Sequence, residues 1–241
     1  MNRPLSAIAH RGFSSRFPEN TAAAFSAAYD LCVFAVETDV RLTADSVPVC
    51  MHDPDLQRLA RRPERIAETT REEAARLLQK AGRELCTLKN ALSLAAARHG
   101  RMLLDVKDPA ALALIHSLLE DLAMPLKDVF LGLRSPEQVR TWRRMDAERP
   151  VLGFLPSADD IPAFLDAGGT IIRFWEEDLL REPQLVARAG NHPFWVMAGA
   201  RACGCGDITP ERIDVIRDLG AEALLLNDPA LLTTCRKGEH A

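Results

Sequence analysis

The chain has no long apolar run. No window approaches the roughly 18 consecutive apolar residues of a membrane helix. The opening stretch MNRPLSAIAHRG is too polar for a signal peptide. A cytoplasmic protein without stable membrane insertion is therefore expected. An excess of one charge is also missing: 30 Lys and Arg face 34 Asp and Glu, for a formal net charge of −4. No basic patch points to nucleic acid. An anionic small molecule stays open as a partner, because charge inside a pocket matters more than the total. Internal repeats and low-complexity linkers are absent, and nothing marks an oligomeric state. Cysteine is scarce and scattered. Cys32, Cys50, Cys86 and Cys235 stand singly in apolar surroundings and read as buried thiols. Cys203 and Cys205 form a Cys-x-Cys pair beside three glycines. Nothing completes a ligand set there, so the pair reads as part of a flexible loop rather than a metal or redox site.

What is present is a regular alternation. The chain has 241 residues, 47% of them hydrophobic, the size and core content of one α/β barrel. Short apolar runs predict strands at Leu5–Ala9, Phe34–Val40, 102–106, 128–133, 150–154, 170–174, 193–198 and 222–226. A helix over Ala22–Leu31, capped by Asn20 or Thr21, follows the first strand. Further helices are expected near 109–121, 135–146, 157–166, 178–189 and 209–219. Eight strand-helix units argue for a (β/α)8 TIM barrel forming a single domain over residues 1–241. The run Val47–Met51 begins too soon after Arg41 for a parallel crossover. It is expected to return as a hairpin over Ala44-Asp45-Ser46, an extra strand beside the second stave. Residues 54–86 break the rhythm and read as a small insertion. It carries a basic run (Arg58, Arg61, Arg62, Arg65), then a Thr70-x-x-Glu73 capping box before a helix ending near Leu78. Another helix opens at Cys86-Thr87-Leu88 and is expected to run to about His99.

The chemistry gathers in residues 8–53. Side chains alternate along a strand, so Glu37 and Asp39 point the same way. Two carboxylates aimed at one place repel, so one takes a proton or a cation sits between them. Asp105 and Lys107 are again two apart and share a face. In a barrel of this kind the strand C-termini carry the site, and His10, Glu37, Asp39, His52 and Asp105 all fall at such ends. Three oxygen ligands, Glu37, Asp39 and Asp105, favour a hard divalent cation, Mg²⁺ or Ca²⁺, over zinc. Strand geometry alone leaves a second reading: a buried ion-pair network with Arg11 and Lys107 as counter-ions and no metal.

Four motifs in order, His10-Arg11-Gly12, Pro18-Glu19-Asn20-Thr21, Glu37-Thr38-Asp39-Val40 and Pro48-Val49-Cys50-Met51-His52-Asp53, resemble the signature of the glycerophosphodiester phosphodiesterase family. Asp105-Val106-Lys107 resembles the family's Glu-x-Lys, with a shorter carboxylate. The resemblance implies metal-dependent hydrolysis of a glycerophosphodiester to an alcohol and glycerol 3-phosphate. In the family a neighbouring substrate hydroxyl is thought to attack phosphorus first, giving a cyclic phosphate. His10 and His52 would be the acid-base pair, since histidine can give or take a proton near neutral pH; which is acid and which is base stays open. Arg11 and Lys107 would hold the non-bridging phosphate oxygens. Family precedent places Glu19 near the substrate or metal.

The C-terminal half departs from the pattern. Where the family often has Trp-Thr-Val-Asn on the seventh stave, this chain has Val196-Met197-Ala198-Gly199-Ala200. The substrate-side aromatic is expected from Trp175, with Phe174 and Trp195 as further candidates. The loop Ala198–Gly206, rich in small residues, is free to move on this reading. Leu226-Asn227-Asp228-Pro229 stands where the family often has Thr-Asp-x-Pro, and Cys86 and Asn90 replace a usual proline and glutamate. Arg134 and Arg173 close two strands; they contact an anionic substrate group, cap a helix or face solvent. Two other readings remain: a phospholipase D-like enzyme on another small or lysophospholipid diester, and a non-catalytic barrel binding a phosphorylated ligand. The charged 54–86 segment weighs against a lipid. A zinc amidohydrolase usually begins with His-x-His, which His10-Arg11-Gly12 does not supply.

Overall fold

The computed structural model describes residues 4–233. Eight parallel strands close on themselves: β1 (Ser6–Ala9), β2 (Ala35–Leu42), β4 (Met102–Val106), β5 (Val129–Leu133), β6 (Val151–Gly153), β7 (Ile171–Trp175), β8 (Phe194–Met197) and β9 (Ala223–Leu226). They neighbour one another in that order, and β1 pairs with both β9 and β2. The ninth strand, β3 (Pro48–Cys50), runs antiparallel on β2, as the hairpin reading requires. Among the described residues no helix is long and apolar enough to cross a membrane.

The helices are α1 (Ala22–Asp30), α2 (Gln57–Ala60), α3 (Arg71–Lys80), α4 (Leu88–Ala97), α5 (Leu112–Asp121), α6 (Pro136–Arg143), α7 (Ile161–Asp166), α8 (Glu176–Arg181) and α9 (Pro210–Asp218). Thr21 caps α1, its hydroxyl accepting from the Ala24 N–H at 3.3 Å. Only half of the expected capping box forms at α3. Thr70 accepts from the Glu73 N–H, but the Glu73 carboxylate turns to Arg76 instead of back to the cap. One helix was expected over 178–189. The structure starts α8 two residues earlier and follows it with a 3-10 turn, Pro183–Ala189. Pro183 brings no N–H and holds Glu182 out of the helical region, which ends the helix there.

Alternation along the strands sorts the core. One face of each stave packs outward on the helices. The other fills the barrel with Ile8, Ala35, Leu103, Phe130, Leu152, Ile171, Trp195 and Leu225, among others. Two residues further along the same inward face come His10 after Ile8, Glu37 after Ala35, Asp105 after Leu103, Arg173 after Ile171 and Asn227 after Leu225. The apolar plug therefore ends where the polar layer begins. Trp195 belongs to the plug, its ring 5.0 Å from that of Phe130. Phe174 faces outward and stacks edge-on against Phe194. Neither lines the central cavity.

The segment 54–86 folds on β3 around its own small core, with Leu56, Ile66, Leu77 and Leu78 packed on Val49 and Met51. Cys50 and Cys86 are buried as expected, but Cys32 is exposed, because the turn after α1 carries it to the surface. Cys235 lies outside the described residues.

Candidate active site

The strand register brings the acids together. Asp39 stands beside Asp105 across β2 and β4. Ala9 pairs with Val36, which sets His10 next to Glu37. The β3 hairpin pairs Cys50 with Val40, and the Met51 N–H donates to the Asp39 carbonyl, so His52 arrives at the same rim. Ligand oxygens of Glu37, Asp39 and Asp105 lie within 4.8 Å of one another, and all three side chains are buried. A cavity of about 150 Å³ is lined by these acids together with His10, Arg11, His52, Lys107 and Trp175. Glu19 stands behind it, accepting from Arg11 Nη1 at 3.1 Å.

The first motif has a backbone reason. Arg11 and Gly12 both take positive φ, at 56° and 81°. This left-handed step aims the Arg11 N–H at Glu37 Oε2, 2.8 Å away. A side chain at Gly12 would meet the Ala24 backbone at 2.7 Å, so only glycine closes the turn against α1.

Charge is unevenly shared. Asp39 takes Arg11 Nε at 3.2 Å, Lys107 Nζ at 2.9 Å and the Asn20 amide at 2.9 Å. Burial alone would raise its pKa; Lys107 and Arg11 outweigh that and hold the carboxyl below its usual range. Asp105 takes Lys107 and Arg134, each at 2.5 Å. Glu37 has no cationic side chain within ion-pairing distance among the described residues. Burial, then Asp39 and Asp105, push it well above the usual carboxylate range. The ion-pair reading is thus realised at two acids and fails at the third.

The donor set fits a hard cation. It offers three carboxylates from adjacent staves, one of them short of positive charge. Asp105 Oδ1 is buried and accepts no well-formed hydrogen bond, although Arg134 lies close beside it. Among the described residues this is the one His, Cys, Asp and Glu group able to hold a metal, and the two loop cysteines are not in it.

The imidazoles are held differently. Asn227 Nδ2 donates to the Cys205 carbonyl and to Asp207, each at 2.9 Å. Its Oδ1 is therefore an acceptor, and His10 Nδ1, 2.8 Å away, carries the proton. The Nε2 lone pair of His10 is left free. Burial, with Arg11 second, lowers the His10 pKa to about 4. His52 is more open and donates from Nδ1 to Asp53 at 2.7 Å. Arg58 Nε grips the other Asp53 oxygen and forks onto Glu19 at 2.9 and 2.6 Å.

The lowered His10 pKa has a sign for stability. Between pH 6.5 and 4 the unfolded chain binds a proton at His10 that the native state refuses. Folding should therefore weaken as pH falls through that window, by about 3 kcal/mol from this group. Urea denaturation at pH 7 and pH 4.5 should show a smaller loss in His10→Gln than in wild type. Equal losses would place His10 in an ordinary environment.

Four contributors had not been given these roles from the sequence. Asn20 was weighed as a helix cap; Thr21 caps, and Asn20, at φ 57°, reaches Thr38 and Asp39 instead. Asn227 and Arg58 orient the two histidines from far along the chain or from a solvent-like basic run. Phe154 lines the cavity beside Trp175. Asn20 and Asn227 lay inside recognised motifs; nothing local marks Arg58 or Phe154. The loop Ala198–Gly206 is small for a packing reason. Gly206, at φ 87°, lies against Asn227, whose Oδ1 would sit 2.2 Å from any added Cβ. Its N–H donates to the Ala198 carbonyl, and the Asn227 N–H donates back to it. Cys205 lines the cavity, and Cys203 is exposed.

The model of the glycerophosphoryl diester phosphodiesterase family matches residues 10–144, more than half of the chain. Glycerophosphodiester phosphodiesterase 1 of Mus musculus is 36% identical over 118 residues, 45% of this chain and 36% of that protein. A glycerophosphodiester phosphodiesterase of Caldanaerobacter subterraneus is 41% identical over 70 residues, 29% of each chain. The matched part is thus well under half the length of either relative. Among solved structures, one described as a putative glycerophosphodiester phosphodiesterase from Galdieria sulphuraria superposes with a TM-score of 0.81 at 17% identity, covering 95% of this chain and 96% of that one. An Oleispira antarctica phosphodiesterase in complex with the product sn-glycerol-3-phosphate gives 0.75 at 19%, covering 93% of each. These structural likenesses establish the shared barrel. With the family match spanning both histidines, all three acids and Lys107, the chain belongs to the glycerophosphoryl diester phosphodiesterase family.

Proposed function

We propose that this protein hydrolyses glycerophosphodiesters to an alcohol and glycerol 3-phosphate, with Mg²⁺ or Ca²⁺ held by Glu37, Asp39 and Asp105. The observation that carries this reading is the convergence of two imidazoles on the cavity that holds the three acids. A bound divalent ion would act as a Lewis acid on the phosphate. Arg11 and Lys107 point into the same space and would bind the non-bridging oxygens, opposing charge that builds in the transition state. Glu19 holds Arg11 in place, and Trp175 forms part of the wall.

The different settings of the histidines support a division of labour. His10 is neutral, with Nδ1–H committed to Asn227, so Nε2 can take the proton from the attacking hydroxyl. His52 has a carboxylate on Nδ1 to balance an imidazolium, so its Nε2 can give a proton to the departing alkoxide. The proton lost by the nucleophile and the proton gained by the leaving alcohol then balance.

The test is turnover of a panel of glycerophosphodiesters and lysophospholipids after chelation and after Mg²⁺ or Ca²⁺ is returned. Release of glycerol 3-phosphate only with metal is expected. Binding without turnover of any diester would make the chain a phosphate-ligand module. Turnover confined to lysophospholipids would move the substrate class.

A further inference from the structure

Among the described residues, Arg173 is the one arginine or lysine of the cavity without a hydrogen-bonded or ion-paired protein partner. It lies on the inward face of β7 and is 9% exposed. Its Nε and Nη1 are buried and make no hydrogen bond. Its contacts are two rings, Phe154 at 5.2 Å and Trp175 at 4.7 Å. The other three cations of the cavity are committed: Arg11 and Lys107 to Asp39, and Arg134 to Asp105. Buried guanidinium donors without acceptors are costly and call for an explanation. Burial lowers the pKa only to about 10, so the group stays charged at neutral pH.

Its position sets it across the cavity from two of the acids. β2 and β7 are the second and sixth of eight staves, so Arg173 faces Glu37 and Asp39 across the barrel mouth. It also lines, with Trp175, Arg201, Asp178 and Glu182, an adjoining cavity of about 260 Å³ that Glu37, Asp39 and Asp105 do not line. A ligand spanning from the acids to Arg173 reaches this second space. The ring of Trp175 already carries the guanidinium of Arg201 at 5.1 Å as well as that of Arg173. Arg201 is balanced by Glu177 and Asp178; Arg173 carries no such ion pair among the described residues, so an anion beside it would meet a ready donor fork.

We propose that Arg173 binds a second anionic group of the substrate, a carboxylate or phosphate monoester carried on the part of the diester that extends away from Glu37 and Asp39. The inference rests on the diester-hydrolase reading and adds a specificity to it.

Matched substrates test it. Glycerophosphoserine and glycerophosphoethanolamine differ by one carboxylate; glycerophosphoinositol 4-phosphate and glycerophosphoinositol differ by one phosphate monoester. In wild type, kcat/KM should favour the charged member of at least one pair by about tenfold or more. The pair that responds identifies the anion. Arg173→Met should bring that ratio close to one, and Arg173→Lys should keep part of it. Equal kcat/KM within both wild-type pairs overturns the inference while leaving diester hydrolysis in place. A preference that survives in a folded Arg173→Met protein also overturns it. If that variant does not fold, the wild-type ratios and Arg173→Lys decide. Calorimetric binding of phosphoserine against phosphoethanolamine reads the site without turnover. Selective phosphoserine binding that disappears in Arg173→Met would uphold the anion site even where no diester is cleaved.

Discussion

His10→Ala and His52→Ala should each lower kcat/KM by about 10²–10⁴-fold, the range set by losing a positioned acid or base. His52→Ala is the cleaner of the two. Its side chain is 38% exposed and bonds only at its edge, so thermal stability should barely move. His10 is buried, and its removal leaves a small void beside Asn227. Asn227 Oδ1 keeps the Ser14 hydroxyl 3.1 Å away and is not stranded, so the variant should still fold. The two losses should not simply add, because acid and base act in one step. Either variant retaining a tenth or more of wild-type activity, roughly below the lower bound of that range, would remove its histidine from the proposed chemistry.

Asp39→Asn should weaken divalent-metal binding by at least about tenfold, since even outer-shell partners of a metal carry that much. It should also destabilise the chain. Arg11 Nε and Lys107 Nζ both lean on Asp39, and breaking a buried ion pair from one side costs about 3–5 kcal/mol. The lower end is expected here, because Arg11 keeps Glu19 and Lys107 keeps Asp105. Calorimetric metal titration and urea denaturation on the same samples separate the two effects. Loss of stability with an unchanged metal titration would mean that Asp39 serves only as a counter-ion.

Much of this was legible along the chain. Strand alternation set Glu37 with Asp39 on one face, and Asp105 with Lys107 on one face, before any fold was drawn. Val47 comes only six residues after Arg41, too soon for a parallel crossover, and β3 is indeed antiparallel. The motif order also named the family. Other features were not legible because they depend on partners far apart in sequence. Asn227 meets His10 across 217 residues, and Arg58 meets Glu19 across 39. A loop rich in small residues looked free to move; the structure shows Gly206 making room for Asn227 and Gly199 for the Gly204 backbone. Phe174 and Trp195 stood behind Trp175 as further candidates, and barrel closure decided which ring faces the cavity.

The sequence by itself determined which side chains share a face and which end of each strand they occupy, because the two-residue period is a local property of the backbone. Tertiary structure alone decided how the charges are shared: Asp39 and Asp105 compensated, Glu37 not, and Arg173 left with two rings and no acid. That sharing depends on distances of a few ångströms across a closed barrel, where each pair competes with every neighbour, and no local pattern encodes it.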